Sequence, residues 1–166
     1  MGFFGNLLGS KEKAKPYIDK DGQPAKLDEL LELLNKAKGL VNVHFSYLSI
    51  INQTYSRRKE PEVRELFKKL ALEHIEKFSS IRGALLRDFN LHEDELGHYH
   101  DKEGRSSKFL HVPTFEYLAT VYTEDGEYEK AIEVCEKAIV FGLHDWTKSD
   151  YQGRIERIKK KAQKNN

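Results

Sequence analysis

A helix–turn–helix pattern over residues 115–139 constrains the fold of this 166-residue chain more than any other feature. Large and small apolar residues recur three and four positions apart on either side of a glycine, as residues on one face of a helix do. The residues that we expect to pack the two helices together or to form the turn between them are Phe115, Leu118, Ala119, Tyr122, Gly126, Tyr128, Ala131, Cys135 and Ala138. The small side chains let the two backbones approach, and glycine tolerates the positive φ that such a turn often needs. The pattern therefore predicts a helical hairpin, a unit that presents a surface and has no built-in chemistry.

The spacing of these residues resembles the tetratricopeptide repeat, a helix–turn–helix unit of about 34 residues. The stretch from Pro113 to about residue 160 also looks like a group of small, mostly uncharacterised bacterial and phage-type proteins with one well-formed C-terminal repeat. The resemblance implies an α-helical module that binds a protein or peptide, with no enzymatic activity. Repeats that hold the C-terminal carboxylates of chaperones use Lys and Asn on their first helix. Because Glu116, Thr120 and Glu124 stand on that face here, we do not expect that specific activity.

Helical periodicity over most of the remaining chain predicts an all-α fold. We interpret residues 1–26 as an irregular leader and residues 27–166 as a single α-helical domain. Segment 42–78 reads as a degenerate copy of the repeat, and 113–142 is the clear copy. A helix over about 150–163 would cap them, because terminal repeats need a polar outer face. The expected architecture is a short solenoid of stacked helical hairpins with a C-terminal capping helix.

Stacked hairpins would line a concave face with the first helix of each pair, and such faces bind peptides. The polar residues that we expect on this face are Asn52, Gln53, Arg57, Arg58, Glu116, Thr120 and Glu124. Ordinary surface polarity is the alternative for any one of them. The predicted function is a protein–protein interaction module, an adaptor or scaffold that binds an unknown protein or peptide, with no catalysis and no cofactor.

Residues 91–112 interrupt the helices with a loop whose length is uncommon in a compact domain and often functional. We expect at most a small β-hairpin, either in the leader or in this loop. Side chains of the types that bind metals gather there, namely His92, Glu93, Asp94, His98, His100, Asp101 and His111. Their spacing lacks the helical i, i+4 pair that sets two ligands on one face. A solvated polar loop is therefore favoured over a metal site, and metal binding through 92–111 is kept as an alternative function.

The formal net charge of +1 argues against a protein that binds nucleic acid over its whole surface. Basic residues do gather on the last predicted helix, at Arg154, Arg157, Lys159, Lys160, Lys161 and Lys164. A basic helix can bind phosphates. No aromatic residue stands among these charges to stack on bases, so weak phosphate or nucleic-acid binding is only a second alternative.

Two further features carry little chemistry. His144 and Asp145 form an acid–base dipeptide by type, but no second histidine–carboxylate pair on a helix supports a hydrolytic site. His74 lies near the apolar stripe of a long helical segment, where we expect a partly buried histidine with satisfied hydrogen bonds.

The single cysteine, Cys135, rules out an internal disulfide and favours a reducing, cytoplasmic location. The sequence contains no run of about 18 apolar residues, so it predicts no transmembrane helix. Phe3 and Phe4, followed by lysines, have the composition of a membrane-surface contact. A frayed or docked tail is the interpretation we favour, because chain termini are usually loosely held.

Overall fold

The computed structural model describes residues 26–94, 99–107 and 111–165. Its helices are α1 (Leu27–Lys36), α2 (Leu40–Ser56), α3 (Pro61–Asp88), α4 (Pro113–Glu124), α5 (Tyr128–Val140) and α6 (Asp150–Asn165). Three short antiparallel strands follow α3 in the chain and form one sheet, namely β1 (His92–Glu93), β2 (Tyr99–His100) and β3 (Ser106–Ser107). The described part of the chain is thus predominantly helical, as the sequence predicts.

The chain divides into two compact units between Arg87 and Asp88. We call the unit with α1, α2 and α3 the front unit, and the unit with the strands and α4 to α6 the back unit. The single domain predicted over 27–166, and the stacking of one hairpin on the other that a solenoid requires, stay predictions.

In the front unit α2 packs against α1 and also against α3. The sequence of α2 is apolar on more than one side, which is usual for a helix buried between neighbours. The rings of Tyr55 on α2 and Phe67 on α3 lie 5.7 Å apart. Both residues lie in segment 42–78, which the sequence analysis interprets as a degenerate copy of the repeat. The helix α3 runs without interruption for 28 residues.

In the back unit α4 and α5 form the helical hairpin that the sequence predicts. Phe115, Leu118, Ala119, Ala131, Cys135 and Ala138 are fully buried, and Tyr122 is nearly so. Gly126 adopts a φ of +76° in the turn, where the backbone amide of Glu127 donates to the carbonyl of Tyr122 at 2.8 Å. Tyr128 is only half-buried at the start of α5.

The helix α6 packs on α5 and begins at Asp150, where the sequence predicts a final helix, and its capping role stays a prediction. Its buried side chains are Tyr151, Ile155 and Ile158, which recur at helical spacing. The outer face carries the basic residues and is exposed over most of its length. This arrangement gives the back unit a three-helix core with α5 packed against both α4 and α6.

Replacing Ala131 with leucine should lower the free energy of unfolding by about 1–3 kcal/mol. Ala131 is fully buried, so the added carbons must displace packed neighbours. The matched control is Glu133→Leu on the exposed face of α5, which should change stability within about 0.5 kcal/mol. Urea denaturation of both variants measures the difference. An unchanged midpoint for Ala131→Leu would contradict close packing at this position.

Candidate functional site

In the described part of the 91–112 region, strand β2 is anchored to the end of α5. Tyr99 of β2 is 4% exposed, and its hydroxyl donates to the carbonyl of Phe141 at 3.2 Å. Gly142 has a φ of +68°, and a Cβ there would lie 3.1 Å from the Tyr99 hydroxyl. Tyr99 therefore fixes the strands on the end of α5. The expectation of a solvated loop is wrong at this residue, and the sheet has one strand more than a hairpin.

Several of the described polar side chains of this region pair with one another. His100 Nε2 lies 3.0 Å from Asp94 Oδ2. Asp101 accepts a hydrogen bond from Arg105 Nε at 2.7 Å and holds two backbone amides. Within the described ranges, no three histidine, cysteine or carboxylate side chains converge as a metal site would require. His98 lies outside those ranges, so the absence of a bound metal stays a prediction.

A polar surface joins α4 to α6 in the back unit. Arg154 Nη1 on α6 donates to Thr120 Oγ1 on α4 at 3.3 Å. The Thr120 hydroxyl in turn donates to the carbonyl of Glu116, one helical turn earlier, at 2.7 Å. Glu116 lies 3.4 Å from His111 Nε2 and keeps 17% of its side chain exposed. We call the surface formed by Glu116, Thr120 and Arg154 the α4–α6 face.

Arg154 is held in place by a buried aspartate. The Asp145 side chain is fully buried and accepts from Arg154 Nε at 3.0 Å. Its other oxygen accepts from the backbone amide and hydroxyl of Thr147. Burial raises the pKa of Asp145, but the bonds from Thr147 and the nearby Arg154 outweigh burial and hold the pKa below its ordinary value. The aspartate stays ionised and fixes the direction of the guanidinium.

The loop that carries Asp145 has an unusual backbone. Trp146 and Asp150 adopt positive φ angles of 61° and 52°, which are uncommon for residues other than glycine. Asp150 Oδ1 accepts the backbone amides of Asp145 and Tyr151, both at 2.8 Å, and its other oxygen pairs with His144. His144 thus pairs with Asp150, whereas Asp145 pairs with Arg154. The dipeptide of His144 and Asp145 does not form an acid–base pair.

Sequence reasoning assigned Arg154 to the basic outer face of the last helix and missed its pairing with Asp145. A signal was present, because Arg154 stands three residues after Tyr151 and four before Ile158, on the buried stripe of α6. The rest of the basic cluster behaves as predicted for a solvated face. Arg157 bonds Ser149, Lys159 pairs with Glu156, and the other lysines are exposed.

Two ionisable groups near the α4–α6 face hold their protons. Burial raises the pKa of the Cys135 thiol to about 12. Burial, followed by the charge of Glu116, raises the pKa of Tyr151 well above its ordinary value. Neither side chain supplies a nucleophile at neutral pH, because the thiolate or phenolate would be the reactive form.

The predicted partner-binding residues of the front unit lie at the end of α2. Asn52 and Gln53 are half-buried, and Gln53 Nε2 is a buried nitrogen without a hydrogen-bond partner in the described residues. Arg57 is exposed and pairs with Glu60 at 2.7 Å. The guanidinium of Arg58 lies 4.2 Å from the centre of the Tyr55 ring.

Glu116, Thr120 and Glu124 belong to the back unit, where Glu124 is exposed at the last residue of α4. The structure brings Glu116 and Thr120 together on the α4–α6 face. One concave face shared with the front-unit residues stays a prediction, because the two groups belong to different compact units. Phe3 and Phe4 lie outside the described residues.

A pair of buried histidines, which sequence reasoning did not anticipate as a pair, joins α2 to α3 in the front unit. His44 Nδ1 lies 2.9 Å from His74 Nε2, and the two residues are 1% and 0% exposed. The ring of Tyr47 stacks on His74 with centroids 5.0 Å apart. The burial predicted for His74 is complete rather than partial.

No family model, curated protein or solved structure matches the chain. None of the helices within the described ranges has the length and apolar character needed to cross a bilayer.

Proposed function

We propose that this protein is an interaction module that binds a peptide or a partner protein through the α4–α6 face, and that it is not an enzyme. The observation that carries the proposal is the bond from Arg154 to Thr120. It aligns the polar side chains of two helices that both pack on α5. The tetratricopeptide resemblance of the α4–α5 hairpin supports the same function.

Apolar side chains are buried and polar side chains are partly exposed on these helices, which supports this assignment. The large apolar residues of α4 are buried, whereas Glu116 and Thr120 are half-buried and Arg154 is 21% exposed in its side chain. These residues present a carboxylate, a hydroxyl and a guanidinium within a short distance. An extended peptide needs such donors and acceptors for its backbone and side chains.

The orientation of the face is fixed before any partner arrives. Asp145 holds Arg154, and the main chain at Glu116 holds the Thr120 hydroxyl. A surface with fixed side chains loses less conformational freedom on binding, which favours affinity. The role that we propose is that of an adaptor in the cytoplasm.

The test begins with affinity capture on the intact protein and identification of bound proteins by mass spectrometry. A purified partner is then titrated against wild type and a Glu116→Gln, Thr120→Val double variant. We expect the dissociation constant to rise about tenfold, or about 1.4 kcal/mol, because a charge and a hydroxyl are removed from the face. The thermal midpoint should change little, because both residues are half-buried and their shapes are conserved.

The matched control is Glu133→Gln on the exposed side of α5, which should bind the partner as wild type does. Equal binding by the double variant and wild type would show that the α4–α6 face is not the binding surface. An Arg57→Ala variant and a Glu124→Ala variant would then test the remaining predicted partner-binding residues of the front and back units separately. Retained stoichiometric metal would favour the metal-binding alternative. Capture of nucleic acid that is lost in moderate salt, or that polyphosphate competes away, would favour the phosphate-binding alternative.

A further inference from the structure

We propose that the His44–His74 pair is an acid-sensitive latch between α2 and α3. The helices stay packed while the pair is neutral, and the front unit opens as the pair takes up protons. The proposal starts from geometry. Two imidazoles face each other through one ring nitrogen each, at 2.9 Å, in a position almost closed to water.

The hydrogen bond itself depends on protonation. In a neutral pair one facing nitrogen carries a hydrogen and the other offers a lone pair, so a single bond joins the rings. A first proton on the outer nitrogen of the donor ring keeps this bond but buries a positive charge. A second proton puts two N–H groups opposite each other and abolishes the bond. Desolvation of the buried charge opposes the first protonation. Repulsion between the two positive rings also opposes the second protonation.

Charged side chains near the pair lie on α3 and α1. On α3, Glu73 accepts a hydrogen bond from the Tyr47 hydroxyl at 3.3 Å. The negative charge of Glu76 also raises the pKa of Tyr47. The aromatic rings of Phe45 and Phe78 cover other edges of the pair. The helix α1 packs on α2, and its charged side chains are all exposed, at Asp28, Glu29, Glu32 and Lys36.

The titration of both rings follows this geometry. Burial lowers the pKa of His44 from 6.5 to about 4. Burial, and then the charge of His44, lowers the pKa of His74 well below 6.5. A base whose folded pKa is depressed stabilises the fold above its unfolded pKa. That stability is lost as the pH falls from 6.5 toward the folded pKa, because the unfolded chain binds more protons.

The loss of stability in acid is expected in the front unit. None of the histidines described in the back unit is buried, so a fall in pH should destabilise that unit less. The pKa of the buried Asp145 is lowered below 3.8, so its contribution is lost only at a more acid pH. Among the described residues, the histidine pair is therefore the buried group that links protons to opening between pH 6.5 and about 4.

The experiment measures urea unfolding of the full chain at pH 7 and at pH 5 by far-ultraviolet circular dichroism. The unfolding equilibrium constant of wild type should rise roughly 20-fold from His44 alone, and further with His74. A His44→Gln, His74→Gln variant can keep a hydrogen bond but cannot titrate, so this rise should disappear. The control His92→Gln removes an exposed histidine and should behave as wild type.

A wild-type constant that is unchanged between pH 7 and pH 5, or a rise of equal size in the double variant, would overturn the proposal. If the double variant does not fold, nuclear magnetic resonance of the seven wild-type histidines decides the matter. Two rings should remain neutral in the folded protein until it opens. Seven rings that all titrate near pH 6.5 in the folded state would refute the latch.

Discussion

Replacing Arg154 with methionine is expected to lower the free energy of unfolding of the back unit by about 3 kcal/mol. The substitution removes the charged partner of Asp145, whose side chain is fully buried. Breaking such a pair leaves a buried carboxylate that keeps only its bonds from Thr147, and methionine keeps most of the packing of the arginine stem. Urea denaturation at pH 7 measures the loss.

Two comparisons make this expectation sharp. Arg157→Met changes an exposed arginine on the same helix and should cost within about 0.5 kcal/mol. Adding Asp145→Asn to Arg154→Met removes the stranded charge and should restore part of the stability. The penalty of Arg154→Met should also shrink in acid, because the wild-type carboxylate contributes above pH 3.8 and loses its contribution as the pH falls through its lowered pKa. Equal costs at positions 154 and 157 would show that the pair is not a buried constraint.

Replacing Phe115 with alanine is expected to cost about 3–5 kcal/mol. Phe115 is fully buried near the start of α4, and its ring meets that of Phe141 edge-on with centroids 6.0 Å apart. Truncation removes apolar contacts and leaves a cavity that rigid helices fill only in part. Thermal and urea unfolding, followed by the fluorescence of the single tryptophan, report the change.

The matched control for Phe115→Ala is Val140→Ala at the end of α5. Val140 is 84% exposed, so its truncation should change stability by only a few tenths of a kcal/mol. If Phe115→Ala were as mild as Val140→Ala, the repeat pattern would not define the core of the back unit.

The hairpin of α4 and α5 was predictable because its signal is local. Phe115, Leu118 and Tyr122 stand on one helical face, and such spacing identifies which side of a helix is buried. Gly126 marks the turn because the chain needs a positive φ there. The same reasoning placed Glu116 and Thr120 on one face of α4.

The remaining contacts could not be predicted because periodicity assigns a face and not the partner opposite it. His44 and His74 are 30 residues apart, and Tyr99 and Phe141 are 42 apart. The strands of the sheet have two residues each, too few to show alternation in the sequence. Arg154 joins Asp145 only through a loop with two positive φ angles, which no composition rule anticipates.

The turn between α4 and α5 has a consequence for the order of folding. Only residues 125–127 separate the two helices, so the entropy lost in closing this loop is small and the hairpin can form on its own early in folding. The bond from Arg154 spans 34 residues and requires α6 to dock first. Mutations in the hairpin should therefore slow folding, whereas loss of the Arg154 contacts should chiefly accelerate unfolding. The contacts that fix the α4–α6 face thus set the lifetime of the native state, and the hairpin beneath it sets how fast that state is reached.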